Sequence, residues 1–301
     1  MNYRTFGKTG LTVSRLGVGM SEIGYELTQD DVAQAGKVLN NALDWGVNLL
    51  DTAACYAISE ELLGATVATR RDEFILATKA GHVAGGYQGE SWTAATIRHS
   101  IDRSLTRMRT DYLDIVQLHS CDVATLERGE VIEALQAARQ AGKTRFIGYS
   151  GDNEAALWAV QSGYFDTLQT SFNLTDQQAR YELLTAAKTQ EMGVIAKRPI
   201  ANAVWRRATT ASGYARQYWE RAQEMERPGP LTDEPDNPII TALGFTLAHE
   251  AVDVAIVGTK NPNHLKANIT WLDSDLPISP ATVADLHARF DEMGESWRQL
   301  T

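Results

Sequence analysis

The feature of this sequence that most limits its fold is a repeated alternation of short apolar segments with longer amphipathic ones. Eight apolar segments have the length and composition of buried β-strands: Arg15–Gly19, Val47–Asp51, Phe74–Lys79, Leu113–His119, Arg145–Ser150, Thr167–Ser171, Val194–Arg198 and Val254–Gly258. The segments between them include four with helical periodicity: Thr28–Trp45, Thr93–Met108, Glu130–Gln140 and Gln177–Glu191. Such alternation is typical of βαβ units around a parallel sheet.

The number of repeats favours a closed barrel over an open sheet. Eight strand–helix repeats fit in 301 residues, and a (β/α)8 barrel takes about 250 residues as one domain. A doubly wound sheet is the alternative, and it would carry a Gly-rich fingerprint between its first strand and first helix. Gly17 and Gly19 are followed by no third glycine at the required spacing. We therefore predict a (β/α)8 TIM barrel that forms one domain over residues 1–301.

Three segments lie outside the eight repeats. Tyr3–Val13 is expected to form an N-terminal β-hairpin around Gly7-Lys8-Thr9-Gly10, and Pro280–Leu300 one extra C-terminal helix. A long excursion covers residues 203–238. Its part Gly213–Met225 has a helical pattern, whereas the proline-rich run Arg227–Pro238 excludes regular structure. A loop of this length is either a functional lid or a surface insertion, and the sequence leaves both open.

Composition excludes several classes of function. The net charge of −10 disfavours binding to phosphate backbones and anionic lipids, so no nucleic-acid or membrane partner is expected. No segment approaches the roughly 20 apolar residues of a membrane span, and the N-terminus lacks the apolar core of a signal peptide. Two cysteines, Cys55 and Cys121, make no disulfide framework and are expected to be small packing residues. These features predict a cytoplasmic protein.

Polar residues close several of the predicted strands. Asp51, Lys79, His119, Ser150 and Arg198 each end an apolar segment. In a barrel the carboxyl ends of all strands meet at one face, where the active sites of such enzymes lie. A buried charge at a strand end is costly unless it is paired, so Asp51 and Lys79 are expected to pair.

Tyr56 follows Asp51 by five residues, in the loop after the second predicted strand. Taken alone, a tyrosine at this position is more often a packed aromatic residue than a catalytic group. The ammonium of Lys79 would lower the phenol pKa from its usual value of about 10. A phenol adjusted in this way is able to donate a proton to a carbonyl oxygen that receives hydride.

These residues lie within motifs of a known family. The chain resembles the aldo-keto reductases, and more closely their bacterial branch. The matching runs are Phe6–Ser14, Asp51-Thr52-Ala53-Ala54-Cys55-Tyr56, Ser59–Gly64, Ala77-Thr78-Lys79, Asp111–His119, Gly142–Gly148 and Gly258–Pro262. The order Asp-Thr-Ala, Tyr, Lys and His is specific, and the runs extend over almost the whole chain.

The resemblance implies NADPH-dependent reduction of an aldehyde or ketone to an alcohol, or the reverse reaction. Tyr56 would be the general acid, Lys79 with Asp51 would shift its pKa, and His119 would orient the carbonyl. The cofactor would bind across the barrel top without a Rossmann domain. Its expected contacts are Ser150, Gln169, Lys197, Arg198, Gly258, Thr259, Lys260, His264 and Asn268.

The corner after the last strand supports an anion site independently. Asn261 is expected to be an N-cap with Pro262 in the first helical turn, and helix N-termini attract anions. Lys260 would meet the 2′-phosphate, so NADPH is preferred to NADH. Residues that depart from the usual family pattern are Gly151, Lys197, His264 and Ala267, which replace Asn, an aromatic residue, Arg and Glu respectively.

Two other functions are compatible with the same residues. The first is a lyase in which Lys79 forms a Schiff base, although a paired Asp51 would keep that lysine charged. The second is an NADPH-binding redox sensor with slow turnover. For a reductase, small aldehydes, sugars and aromatic ketones all fit the aromatic residues expected around the pocket. No metal site is expected. The sequence contains no signal for a particular oligomeric state.

Overall fold

The computed structural model describes residues 1–210, 213–273 and 278–301. The chain forms a small hairpin and a closed barrel. Its strands are β1 (Tyr3–Thr5), β2 (Thr12–Ser14), β3 (Leu16–Gly19), β4 (Leu49–Asp51), β5 (Ile75–Ala80), β6 (Leu113–His119), β7 (Thr144–Ser150), β8 (Thr167–Ser171), β9 (Gly193–Lys197) and β10 (Val254–Gly258). Parallel strands β3 to β10 close in the order β10-β3-β4-β5-β6-β7-β8-β9. The predicted (β/α)8 barrel is therefore confirmed, with each predicted strand within two residues of its expected end.

Helices follow the barrel strands and cover the outside of the barrel. They are α1 (Ser21–Glu26), α2 (Val32–Asp44), α3 (Ser59–Thr66), α4 (Ala94–Met108), α5 (Val123–Glu127), α6 (Glu130–Gln140), α7 (Asn153–Gln161), α8 (Leu183–Thr189), α9 (Arg216–Glu226), α10 (Pro238–Ala248), α11 (Pro262–Asp273) and α12 (Pro280–Met293). Side-chain caps begin several of them: Thr93 accepts from Thr96 N before α4, and Asn237 accepts from Ile239 N before α10. None of the helices among the described residues is long and apolar enough to cross a membrane.

The N-terminal hairpin closes one end of the barrel. Strands β1 and β2 pair antiparallel, as predicted, and the turn buries Phe6 against Gly193. Gly7 has a φ of +48°, and a Cβ there would lie 2.3 Å from the Gly193 nitrogen, so only glycine fits.

The barrel interior changes from apolar to polar along its axis. Side chains of a strand alternate between the two faces of the sheet, and the inward-facing positions near the hairpin include Leu49, Ile75, Ile115, Ile195 and Val254. Two or four residues further along the first four of these strands, the inward positions carry the charged or polar side chains of Asp51, Lys79, His119 and Lys197. The apolar end is therefore a packed floor, and the polar end is the carboxyl rim.

Three predicted helices are shorter than expected. Thr28–Trp45 is a 3₁₀ turn at Gln29–Asp31 followed by α2. Gln177–Glu191 contains a 3₁₀ turn at Gln178–Arg180 and then α8, because Glu182 has non-helical dihedrals, φ −131° and ψ −50°. The C-terminal helix ends at Met293 rather than Leu300. The last residues turn back into the barrel top, where Gln299 Oε1 accepts from Asn153 N at 2.8 Å.

The excursion over residues 203–238 packs against the C-terminal part of the chain. The helical prediction for Gly213–Met225 corresponds to α9, whose Tyr218, Ala222 and Met225 are buried. The proline-rich run is irregular, as predicted, and the buried Arg289 guanidinium fixes it through the carbonyls of Met225, Gly229 and Pro230. Residues 211–212 of the excursion lie outside the described residues.

Candidate active site

Strand register brings the predicted polar residues to one rim. Asp51 ends β4, Lys79 is one residue from the end of β5, and His119 and Ser150 end β6 and β7 as register partners. Ser150 is in turn the partner of Gln169 on β8. The carboxyl ends of five consecutive strands thus present a carboxylate, an ammonium, an imidazole, a hydroxyl and an amide to the same face.

Asp51 and Lys79 form the ion pair expected from the sequence. The Nζ–Oδ2 distance is 2.6 Å, and each residue is 2% exposed. Lys79 Nζ also donates to the Thr52 carbonyl at 2.9 Å. Burial acts to lower the pKa of Lys79, but the attraction of Asp51 and of Tyr56 outweighs it and raises the pKa above its usual value. The ammonium therefore stays charged.

Tyr56 lies beside this ammonium. Lys79 Nζ is 5.0 Å from the centroid of the Tyr56 ring, and the ring makes an edge contact with His119 at 5.5 Å. Burial raises the pKa of the Tyr56 phenol, and Lys79 opposes that rise without cancelling it. The effect of Lys79 has the predicted sign, but the net shift is upward, so the phenol is protonated at neutral pH.

His119 is held as a neutral imidazole. Burial, followed by the charge of Lys79, lowers its pKa to about 2. Its Nδ1 lies 3.4 Å from the Sγ of Cys55, a half-buried residue of the loop between Asp51 and Tyr56. No described residue hydrogen-bonds the Nε2 of His119. A neutral imidazole with one free nitrogen is suited to orient a carbonyl oxygen without carrying charge.

Ser150 and Gln169 leave one amide donor free. Ser150 Oγ donates to Gln169 Oε1 at 2.8 Å. The Gln169 Nε2 is buried and has no hydrogen-bond partner. Buried polar atoms are rarely unpaired, so this atom marks a position where a ligand acceptor fits. The neighbouring Gly151 excludes a larger residue, since a Cβ there would lie 2.6 Å from the Tyr149 ring.

Lys197, at the end of β9, pairs with a residue that the sequence analysis did not select. Its Nζ lies 2.7 Å from Asp152 Oδ2, and Asp152 Oδ1 accepts from Ser171 N at 2.7 Å. Burial lowers the pKa of Lys197, and Asp152 opposes this. Lys197 takes the place of the aromatic ring that the resemblance suggested. Asp152 neutralises its positive charge.

Arg198 was predicted to be the last residue of its strand, but β9 ends at Lys197. Arg198 follows the strand with a φ of +56°. Its guanidinium donates to the Tyr214 hydroxyl at 2.7 Å and to the Leu300 carbonyl. Arg198 therefore joins the excursion to the C-terminal tail. Among the described residues, no carboxylate lies within ion-pair distance of it.

The corner after β10 has the predicted helix start. Asn261 Oδ1 accepts from Asn263 N at 3.0 Å, as expected of an N-cap. Gly258 ends β10, Thr259 is buried, and further along α11 His264 is exposed and Asn268 buried.

Lys260, in the same corner, is exposed and has a carboxylate partner that was not predicted. Its Nζ lies 2.6 Å from Glu26 Oε2, and its backbone nitrogen donates to Glu22 Oε1 at 3.2 Å. Any anion at Lys260 would compete with Glu26.

Comparison with known proteins agrees with this geometry. The model of the Aldo/keto reductase family matches residues 15–288. This chain belongs to the aldo/keto reductase family. It is 29% identical over 289 residues to the uncharacterized oxidoreductase YqkF of Bacillus subtilis, covering 89% of this chain and 90% of that protein. It is 28% identical over 303 residues to L-galactose dehydrogenase of Arabidopsis thaliana, covering 95% and 93%.

A solved structure of an aldo-keto reductase is similar along most of its length. This is AKR11C1 from Bacillus halodurans in its holo form, with a TM-score of 0.82, 26% identity and 96% of each chain covered. As an aldo/keto reductase with oxidoreductase relatives, the chain is an oxidoreductase that acts on small carbonyl compounds.

Sequence reasoning missed four residues around this reductase site: Cys55, Asp152, Glu26 and Gln299. Asp152 had a detectable signal, because it lies just beyond a strand end beside Gly151. Cys55 lies between two selected residues, but nothing in the sequence indicates its contact with His119. Glu26 and Gln299 depend on contacts between segments that are remote in sequence.

Proposed function

We propose that this aldo/keto reductase reduces aldehydes or ketones to alcohols with NADPH, and that Tyr56 is the proton donor. The observation that carries the proposal is the convergence of Asp51, Tyr56, Lys79 and His119 at one rim. In particular, the buried Lys79 ammonium lies 5.0 Å from the Tyr56 ring. A bound nicotinamide cofactor would supply hydride to the carbonyl carbon.

The residues of this chain have separate roles in the proposed reaction. The Tyr56 hydroxyl binds the carbonyl oxygen and gives its proton to that oxygen as negative charge develops there. The Lys79 ammonium stabilises the resulting phenolate, and Asp51 keeps the ammonium charged and in position. His119, being neutral, orients the carbonyl. In alcohol oxidation the roles are reversed, and Tyr56 acts as the base that accepts the hydroxyl proton.

The rim fits the nicotinamide end of such a cofactor. The unpartnered Gln169 Nε2 is a donor for a carboxamide oxygen, and Ser150 fixes the Gln169 amide. At the end of β9 we propose Lys197 and Arg198 as further contacts; Arg198 supplies the positive charge there, because Asp152 neutralises Lys197. The holo form of the similar Bacillus halodurans structure is in line with a bound cofactor.

For the adenosine end we propose Gly258, Thr259, Lys260, His264 and Asn268 as contacts. The positive charge of Lys260 and the N-terminus of α11 support a preference for NADPH over NADH. The pairing of Lys260 with Glu26 reduces that preference, because the carboxylate competes with a phosphate for the same ammonium.

A Schiff-base lyase is disfavoured by the same geometry. Lys79 is paired, buried and charged, and a protonated amine is not a nucleophile. For the reductase, the similarity to L-galactose dehydrogenase makes sugars the first substrates to screen. Small aldehydes and aromatic ketones follow, since the exposed Tyr25 and Tyr214 offer aromatic surface near Tyr56.

The first experiment is a fluorescence titration of the purified protein with NADPH and with NADH, followed by a screen of carbonyl substrates. Saturable binding, tighter for NADPH, together with substrate-dependent oxidation of the cofactor, is the expected result. Tight binding with very slow turnover of every carbonyl would favour a redox sensor. Absence of binding to both cofactors would refute the reductase proposal.

A further inference from the structure

Cys55 is held beside His119 by the loop that connects Asp51 to Tyr56. The Cys55 Sγ lies 3.4 Å from the His119 Nδ1. The backbone on either side of the thiol is fixed: Ala54 N donates to the Lys79 carbonyl at 3.1 Å, and the Tyr25 hydroxyl donates to the Cys55 carbonyl at 3.1 Å. The thiol therefore has a defined position against one nitrogen of the imidazole.

The protonation states of the two groups restrict the direction of this hydrogen bond. Burial raises the pKa of the Cys55 thiol, against the charge of Lys79, so the group keeps its S–H at neutral pH. With its pKa lowered to about 2, His119 is neutral and has one N–H and one bare nitrogen. A thiol that keeps its proton can donate it to a bare Nδ1, and the ring proton then lies on Nε2.

We propose that Cys55 is a positioning residue that fixes His119 in the tautomer with the proton on Nε2. The effect of this tautomer on catalysis rests on the proposed reductase function. An Nε2–H can donate to the carbonyl oxygen of a substrate, whereas a bare Nε2 would repel that oxygen. Since no described residue hydrogen-bonds Nε2, its donor is free for the substrate. Cys55 acts through His119 and does not itself react.

The tautomer is measurable without cofactor or substrate. Nitrogen NMR of the protein, labelled with ¹⁵N in its six histidine rings, distinguishes a protonated ring nitrogen from a bare one. The signals of His119 are those that disappear in the His119→Asn variant. We expect the wild-type protein to show a protonated Nε2 and a hydrogen-bonded, bare Nδ1.

Variants of the two cysteines separate the proposed role from general packing. Cys55→Ala removes the donor, and we expect His119 to populate both tautomers. Cys55→Ser retains a hydroxyl donor and is expected to restore the Nε2–H form. Cys121→Ala is the matched control, because Cys121 is a buried cysteine whose thiol makes no hydrogen bond to His119, whereas the Cys55 thiol does. It should leave the tautomer unchanged.

A kinetic comparison gives a second readout. Loss of one ordinary hydrogen bond corresponds to about a fivefold change in kcat/KM, so Cys55→Ala should lower kcat/KM by about that factor without weakening cofactor binding. Cys55→Ser should recover most of it. A purely structural role would instead lower the melting temperature and the cofactor affinity together, with no rescue by serine.

Two results would overturn the inference: a wild-type His119 with its proton on Nδ1, or an unchanged tautomer in Cys55→Ala. Neither depends on turnover. A wild-type protein that has the expected tautomer but reduces no carbonyl compound would refute the reductase proposal and leave the Cys55 assignment standing.

Discussion

The ammonium of Lys79 lies 2.6 Å from the carboxylate of Asp51, and both side chains are almost completely buried at the barrel rim. A single buried charge at this depth would be unfavourable. The pair makes a permanent positive charge compatible with burial, and that charge faces the Tyr56 ring. Asp51 thus allows the Lys79 ammonium to be buried, and that ammonium opposes the rise that burial causes in the pKa of Tyr56, the proposed proton donor.

Tyr56→Phe removes the phenolic proton while keeping the ring contacts with His119 and Lys79. Because proton transfer of this kind contributes about 10²–10⁴-fold to rate, kcat for carbonyl reduction should fall by at least two orders of magnitude. Cofactor affinity should hardly change, since Tyr56 is not among the proposed cofactor contacts. Steady-state kinetics and a fluorescence titration of the same variant test both parts. If the variant keeps most of its activity, the proton donor is another group.

The pH dependence of kcat/KM for carbonyl reduction reports groups of the free enzyme. The pKa of His119 is lowered to about 2, so the ring is neutral throughout the neutral range. The pKa of Tyr56 is raised from its usual value near 10, so the donor stays protonated. We expect kcat/KM to be level between about pH 6 and pH 9. A fall with an apparent pKa near the usual histidine value would show that His119 titrates in the free enzyme.

Lys260→Ala should weaken NADPH more than NADH if the ammonium meets the 2′-phosphate. An exposed ion pair is worth up to about 1 kcal/mol, or roughly fivefold in affinity. Glu26→Gln should have the opposite effect, because it frees the ammonium that the carboxylate now holds. Both changes are measured as ratios of the NADPH and NADH dissociation constants.

The control for this pair is Lys266→Ala. Lys266 is an exposed cation of α11 whose Nζ lies 5.7 Å from the centroid of the Trp45 ring. Its removal should leave the NADPH-to-NADH ratio unchanged. An equal loss for both cofactors in Lys260→Ala would exclude Lys260 from the phosphate site.

Much of the fold and part of the site could be predicted from local sequence. The barrel strands were identified because parallel strands buried on both faces are continuous apolar runs. Asp51, Lys79 and His119 were identified because a charged or polar residue at the end of such a run is conspicuous. The helix start at Asn261 followed from cap chemistry alone.

The features that were not predicted depend on contacts between segments that are remote in sequence, which no local pattern indicates. The position of the tail beyond Met293 is one example, since Gln299 and Leu300 hydrogen-bond to residues more than 120 positions away. The Lys260–Glu26 pair joins segments 234 residues apart. The upward shift of the Tyr56 pKa was not predicted, since the degree of burial of a loop residue is set by the elements packed around it.

Lys197→Met should destabilise the protein strongly. The change leaves the fully buried Asp152 without its ammonium partner, and breaking a buried ion pair by removing one member costs about 3–5 kcal/mol. The double variant Lys197→Met/Asp152→Asn should recover a large part of the loss, because it leaves no unpaired charge. Urea unfolding measures both. Lys188→Met, at an exposed lysine, is the control, and a loss of similar size there would contradict the proposed cause.

Asp176 should make stability depend on pH in a defined direction. It is fully buried, its Oδ2 accepts from Leu300 N at 2.9 Å, and its Oδ1 has no hydrogen-bond partner. Burial raises its pKa from 3.8 to about 7, so the folded protein holds a proton that the unfolded chain releases at lower pH. The stability that this group contributes is therefore complete below about pH 4 and is lost as pH rises to about 7.

Asp176→Asn keeps an acceptor for Leu300 N and removes the titration. Relative to the wild type, the free energy of unfolding of this variant should improve steadily between pH 4 and pH 7 and then level off. Over that range the wild-type carboxyl is already ionised in the unfolded chain but still protonated in the folded protein, so the wild type loses stability as pH rises. Urea unfolding across this range is the measurement. Glu220→Gln, which removes an exposed carboxylate, should show no such trend. A constant difference between Asp176→Asn and wild type at every pH would mean that Asp176 is already ionised in the folded protein.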